Sequence, residues 1–120
     1  MTTTLPKPID AFIKAANNFD GDAFMATFAE DAFVHDQRRN FRGIAAIKKW
    51  ADREIIGDKV TMEVVQVVEH HGDFLICVKT DGNYDKTDLP DPLILDFHFT
   101  LRGDAIVKLI CLLTETTEKA

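Results

Sequence analysis

This sequence predicts an α+β domain, and three observations carry that prediction. Apolar residues recur at helical spacing as far as Ile55. From Val60 onward the pattern changes to long runs rich in Val, Ile, Leu, Phe and Thr. Short links containing Gly-Asp separate two pairs of these runs, as in β-hairpins. At 120 residues and 46% hydrophobic content, the chain fits one domain over residues 1–120 with a genuine core.

Pro6 and Pro8 suit the first turn of a helix, where a missing N–H costs nothing. Ile9, Phe12, Ile13 and Ala16 follow as one apolar stripe. Asn17-Asn18 and Asp20-Gly21-Asp22 end that helix. Asp22 is the expected N-cap of a short second helix carrying Phe24, Met25 and Phe28. Glu30-Asp31 marks a turn into a short strand, 32–36, and residues 38–43 read as a polar connection. The third helix is expected over 44–55. Ile44, Ile47, Trp50, Ala51 and Ile55 lie on its apolar face, and Gly57 is its stop. Four antiparallel strands are then expected at 60–69, 74–80, 93–101 and 106–114. Residues 81–92 form a polar loop between the middle two.

The net charge is −6, and the Lys/Arg clusters are small. No basic face with interleaved aromatics is present, so nucleic-acid binding is not expected. No apolar run is long enough to span a bilayer, and an acidic surface does not favour anionic lipid. The N-terminal residues lack the apolar stretch of a signal peptide, which makes the cytosol the expected location. Cys77 and Cys111 sit in apolar strand-like runs and are expected to be buried reduced thiols. His70 and His71 are adjacent, so in a strand they face opposite ways and cannot readily share an ion. Neither a metal-ligand spacing nor a phosphate-binding Gly loop occurs, and no metal or cofactor is expected.

Asp36 is the candidate catalytic residue. Alternation puts it on the same strand face as Val34, so a buried Val34 brings Asp36 inward too. A carboxylate placed among Phe and Trp can act as a base near neutral pH. The competing reading is an exposed strand-end Asp paired with Arg38 or Arg42, worth at most about 1 kcal/mol. Phe12, Phe28, Met62, Phe97 and Phe99 are candidate pocket or core lining. Asp96 and His98 form a rival polar constellation on the opposite face of their strand from Leu95, Phe97 and Phe99. That face is either a pocket wall with His98 as acid or base, or the outer side of the sheet.

The run Phe28-Ala29-Glu30-Asp31-Ala32-Phe33-Val34-His35-Asp36 resembles one in ketosteroid isomerases. There, an apolar-Ala-acid-acid-Ala-x-Val-acid-Asp pattern ends in the proton-shuttling Asp. Gly43-Ile44-Ala45-Ala46-Ile47 resembles the helix start that follows it. Leu95-Asp96-Phe97-His98-Phe99 resembles the late strand whose aromatics line the pocket. Together these residues resemble the NTF2-like superfamily, in its SnoaL-like polyketide cyclase and ketosteroid isomerase-like branch.

That resemblance implies a cystatin-like cone: three N-terminal helices on a strongly curved antiparallel sheet around a central pocket. It puts Asp36 at the pocket floor as general acid/base, with Trp50 as a cap; Glu54, one turn on, could reach the mouth. Two departures stand out. The first-helix Tyr that serves as oxyanion donor in the isomerases is Phe12 here. The late-strand protonated Asp falls at either Leu95 or Asp96. If it falls at Leu95, no oxyanion hole remains, and losing one such donor costs about 100-fold in rate. Ketosteroid isomerisation in its familiar form is therefore not expected.

The expected protein binds a small apolar or cyclic organic ligand. It would act as a cofactor-free isomerase, cyclase or hydro-lyase through Asp36. A non-catalytic carrier or a protein-interaction module on the same fold is the alternative. A homodimer through the open sheet face fits each of these.

Overall fold

The computed structural model describes residues 5–113. Helix α1 spans Lys7–Asn17, starts from Pro6, and buries Ile9, Phe12, Ile13 and Ala16. Asn17 ends it by clasping the start of a later strand. Its Nδ2 donates to Met62 O at 2.9 Å, and its Oδ1 accepts from Met62 N at 2.6 Å. Helix α2 is shorter than expected, Gly21–Met25. Its N-cap is Asp20, not Asp22: the Asp20 carboxylate accepts from Ala23 N at 3.1 Å.

Strand β1 covers Phe28–Asp36, so Phe28 belongs to the strand and Glu30-Asp31 is no turn. Instead the ladder to β6 shifts register between Phe28 and Phe33, an irregularity within which the two acidic residues fall. The expected polar connection holds a strand, β2, Arg39–Arg42, which pairs antiparallel with β1. The hairpin between them turns on Gln37 and Arg38, with φ of 50° and 77°. Positive φ at both central residues is the twist that a two-residue hairpin needs. No Gly or Asn advertises it, which is why the sequence reads as a loop there.

Helix α3, Gly43–Trp50, continues as a π-helical turn, Ala51–Ile56, so helical structure fills the expected third-helix span. Gly57 follows. A Cβ there would lie 2.6 Å from Asp52 O and 2.7 Å from Arg53 O, which is why the turn closes on a glycine. Strands β3 (Thr61–His70), β4 (Asp73–Asp81), β5 (Leu93–Arg102) and β6 (Ala105–Leu113) complete the described chain. Thr114, the expected end of the last strand, lies outside the described residues.

The sheet order is β2-β1-β6-β5-β4-β3. Here the structure corrects the expected sheet in two ways. It is mixed, because β1 lies parallel to β6 while every other pair is antiparallel. It is also open, with β2 and β3 as edges, and is not the strongly curved cone that the resemblance implied. The helices cover one face. Phe12 is fully buried there, and its ring centroid lies 4.6 Å from Phe24, 5.2 Å from Phe99 and 6.1 Å from both Phe28 and Phe97. These edge-on and tilted contacts join α1, α2, β1 and β5 into one aromatic core.

Candidate functional site

Beside that core lies a cavity of about 150 Å³. Strand register explains its sheet wall. Asp36 pairs with Cys111, Cys111 with Phe97, Leu95 with Val78, and Leu93 with Thr80. Paired residues share a face, and so do residues two apart on one strand. Asp36, Cys111, Phe97, Leu95, Leu93 and Thr80 therefore all look toward the helices, and all six line the cavity. Phe12, Trp50, Glu54 and Ile55 close it from the helical side, Val60 and Met62 from the start of β3, and Tyr84 from the loop after β4.

Asp36 is held by two donors. Trp50 Nε1 donates to its Oδ2 at 2.9 Å, across from α3. Arg39 Nη2 donates to the same oxygen at 2.9 Å, from three residues on around the hairpin. Arg39 also forks onto Glu54, with 2.6 Å and 2.7 Å bonds to its two carboxylate oxygens. One guanidinium thus joins the strand end to the π-helical turn. Hydrogen bonding to Arg39 lowers the Glu54 pKa from its usual value, and the two carboxylates keep Arg39 protonated.

Both donors meet Asp36 at Oδ2. Among the described residues no fully buried side-chain oxygen or nitrogen lacks a partner. Oδ1 carries no such bond, so it must be reachable, and the side chain as a whole is only 15% exposed. Asp36 lines the cavity, and neither of its two donors engages Oδ1. Beside it the Cys111 thiol is buried, and burial followed by the Asp36 charge pushes its pKa well above the ordinary value. Cys111 is a neutral wall of the cavity and no nucleophile.

Six of the nine residues singled out from sequence line this cavity: Phe12, Asp36, Trp50, Glu54, Met62 and Phe97. Three do not. Phe28 and Phe99 lie in the aromatic core behind it, because their positions along β1 and β5 fall under α1 and α2. His98 is exposed on the opposite sheet face, paired with Leu75 and Ile110. Asp96 lies on that outer face too, accepting from Cys77 Sγ at 3.2 Å, so the rival His98/Asp96 constellation stands outside the cavity. The expected partner of Asp36 also changes. Arg39 fills that role, and Arg42 instead stacks on the Phe33 ring at 4.5 Å.

Sequence reasoning missed Tyr84, Thr80, Leu93 and Arg39. Tyr84 sits in an aperiodic polar loop, and Arg39 in a strand that no turn motif announced. Among the described residues, no group of three or more His, Cys, Asp or Glu is arranged to hold a metal ion. No helix among them is long and apolar enough to cross a membrane.

No protein-family model matches the chain, and no curated protein matches it. Solved structures do. A candidate polyketide cyclase from Sinorhizobium meliloti aligns at TM-score 0.79 with 25% identity, covering 89% of this chain and 94% of that one. A protein of ketosteroid isomerase-like fold from Catenulispora acidiphila, in complex with trimethylamine, aligns at 0.77 with 17% identity, over 93% and 88%. The epoxide hydrolase/cyclase-like enzyme SalBIII, of pyran ring formation in salinomycin, aligns at 0.73 with 17% identity, over 91% and 89%. The chain thus has the NTF2-like fold, similar to solved structures of polyketide cyclase-like and ketosteroid isomerase-like proteins.

Proposed function

We propose that this chain binds a small apolar, cyclic ketone- or phenol-like molecule in the cavity and moves a proton on it with Asp36. The reaction class is a cofactor-free isomerisation, cyclisation or hydro-lyase step. One observation carries the reading: Trp50 and Arg39 both bond Asp36 at Oδ2, neither engages Oδ1, and Asp36 lines a mainly apolar cavity. Fixing one oxygen orients the other without consuming its lone pairs, which a general base requires. A ligand that fills the mainly apolar cavity would displace water from it, so a proton taken from a carbon beside a carbonyl stays available for return to the ligand. The named activities of the S. meliloti protein and SalBIII agree with such chemistry.

A screen of cyclic ketones and phenols by thermal shift, on wild type and Asp36→Asn, tests the reading. A ligand that raises the wild-type Tm by several degrees, with an altered response in the mutant, supports it. Equal shifts in both proteins, with no turnover of the ligand, would support a carrier instead. Arg39 favours that second reading, because it already engages the carboxylate that would take the proton.

The protein is proposed to work in the cytosol as a homodimer through the outer sheet face, where Val68 and Leu112 are exposed. Light scattering at high concentration checks the dimer, and a strictly monomeric mass would contradict it.

A further inference from the structure

The ligand oxygen that a proton-moving site must hold has no donor on α1, where Phe12 stands, or at Leu95. The polar loop supplies one. Tyr84 is the only tyrosine in the chain, and it lines the cavity together with Thr80 and Leu93. Its hydroxyl donates to Thr80 O at 3.3 Å and lies 3.5 Å from Thr80 Oγ1. Hydroxyl bonds normally close to about 2.7–2.8 Å, so these are weak and readily exchanged for a better acceptor.

The ring, by contrast, is firmly placed. A Cβ on Gly82 would lie 3.2 Å from it and 2.9 Å from Asp58 O, so the backbone passes there only as glycine. Asn83 N donates to Asp58 O at 2.7 Å, pinning the loop to the segment after the π-helical turn. Lys86, paired with Asp81 at 2.8 Å, sets its ammonium 5.5 Å from the ring centroid. A well-held ring with a loosely bonded hydroxyl at a cavity wall is suited to meet a ligand.

Register sets where that hydroxyl stands relative to Asp36. Asp36 leads across β6 to Phe97 on β5, whereas Thr80 pairs with Leu93, four residues along β5 and one strand further. Over an uncurved sheet those backbones would be roughly 20 Å apart. The two side chains therefore approach the cavity from opposite ends.

We propose that Tyr84 is the hydrogen-bond donor that holds the ligand's carbonyl or ether oxygen, opposite Asp36. The ligand class is then bipolar: an apolar ring with a proton for Asp36 at one end and an acceptor oxygen for Tyr84 at the other. This rests on the ligand cavity and the Asp36 role proposed above.

Calorimetric titration with two matched phenols separates the roles. 4-Hydroxyacetophenone carries both a hydroxyl and a carbonyl, while 4-isopropylphenol keeps the shape and the hydroxyl but lacks the acceptor. Tyr84→Phe keeps the ring contacts, and its Tm should stay close to wild type. It should weaken 4-hydroxyacetophenone by about tenfold, the loss of one hydrogen bond, and change 4-isopropylphenol by less than twofold. Asp36→Asn should weaken both phenols alike. If Tyr84→Phe weakens both phenols equally, or neither, Tyr84 is only a wall and the inference is overturned. If Asp36→Asn changes neither while Tyr84→Phe acts on the ketone alone, the Asp36 role fails and the Tyr84 role stands. If neither phenol binds wild type, the bipolar ligand class is wrong and the inference falls with it.

Discussion

In the role proposed for it, Asp36 depends on what its neighbours do to one of its oxygens. The Trp50 N–H removes little charge but fixes direction, whereas Arg39 supplies charge. Replacing Trp50 by Phe should free the Asp36 carboxylate to rotate, and also open space at the helical wall. We expect turnover of any substrate to fall by at least about tenfold, together with a stability loss of about 1–3 kcal/mol for the smaller ring and the lost bond. Steady-state kinetics beside chemical denaturation check the two effects separately.

Glu54 makes a pH prediction whose sign follows from the direction of its shift. Its folded pKa lies below the usual 4.5, so the Arg39–Glu54 pair stabilises the fold above that value. The contribution fades as pH drops through the lowered folded value. Both side chains are partly exposed, at 47% and 28%, which limits the gain to about 1 kcal/mol. Wild type should therefore have a higher Tm than Glu54→Gln at pH 7, with the gap closing below pH 4. A gap that persisted at pH 3 would mean the pair is not its source.

At the scale of elements, the β1–β2 hairpin brings Arg39 round to Asp36. It does so through Arg38 at φ 77°, a conformation that costs a side-chain-bearing residue about 1–2 kcal/mol. Arg38→Gly should relieve that strain, less the backbone freedom that glycine adds in the unfolded chain. A net gain approaching 1 kcal/mol in urea unfolding is expected, with the cavity intact. Gly57→Ala should act the other way, since its Cβ would collide with backbone oxygens that cannot retreat as a flexible side chain can. A loss above about 1 kcal/mol is expected in the same assay.

These two positions also show what the sequence made legible. Gly57 announces a stop, and the third helical span ends there. Gln37-Arg38 announces nothing, because a hairpin imposed on residues without turn preference is held by its strands, not by its own chemistry. β2 and Arg39 were lost to sequence reasoning for that reason. Alternation in β5 was legible as two sets, Leu95 and Phe97 on one face and His98 on the other, but which set faces the helices was left open; the structure turns Leu95 and Phe97 inward and His98 out. Alternation assigns a face but not a depth, so it could not separate Phe97 at the cavity from Phe99 behind it.

Across the whole molecule, the cavity exists because two packing problems have one solution. The aromatic core fills the space under α1 and α2, and the residual space falls where β1, β5, the π-helical turn and the β4–β5 loop meet. Parallel pairing of β1 with β6 is what brings Asp36 beside Cys111, and it is a long-range choice that no local pattern encodes. Phe12 serves both regions, touching Phe24 and Phe99 on one side and lining the cavity on the other. Phe12→Ala should cost about 3–5 kcal/mol and loosen ligand binding together with the fold, as unfolding and calorimetry on one sample would show.

Asp36 is proposed to move a proton on a ligand in this cavity. Deuterium exchange beside the carbonyl of a cyclic ketone that binds, followed by NMR in D₂O, tests it most directly. Exchange well above the buffer rate is expected with wild type, and a return to near that rate with Asp36→Asn, while binding survives. Equal exchange in the two proteins, or a bound ketone that exchanges no faster than in buffer, would contradict it.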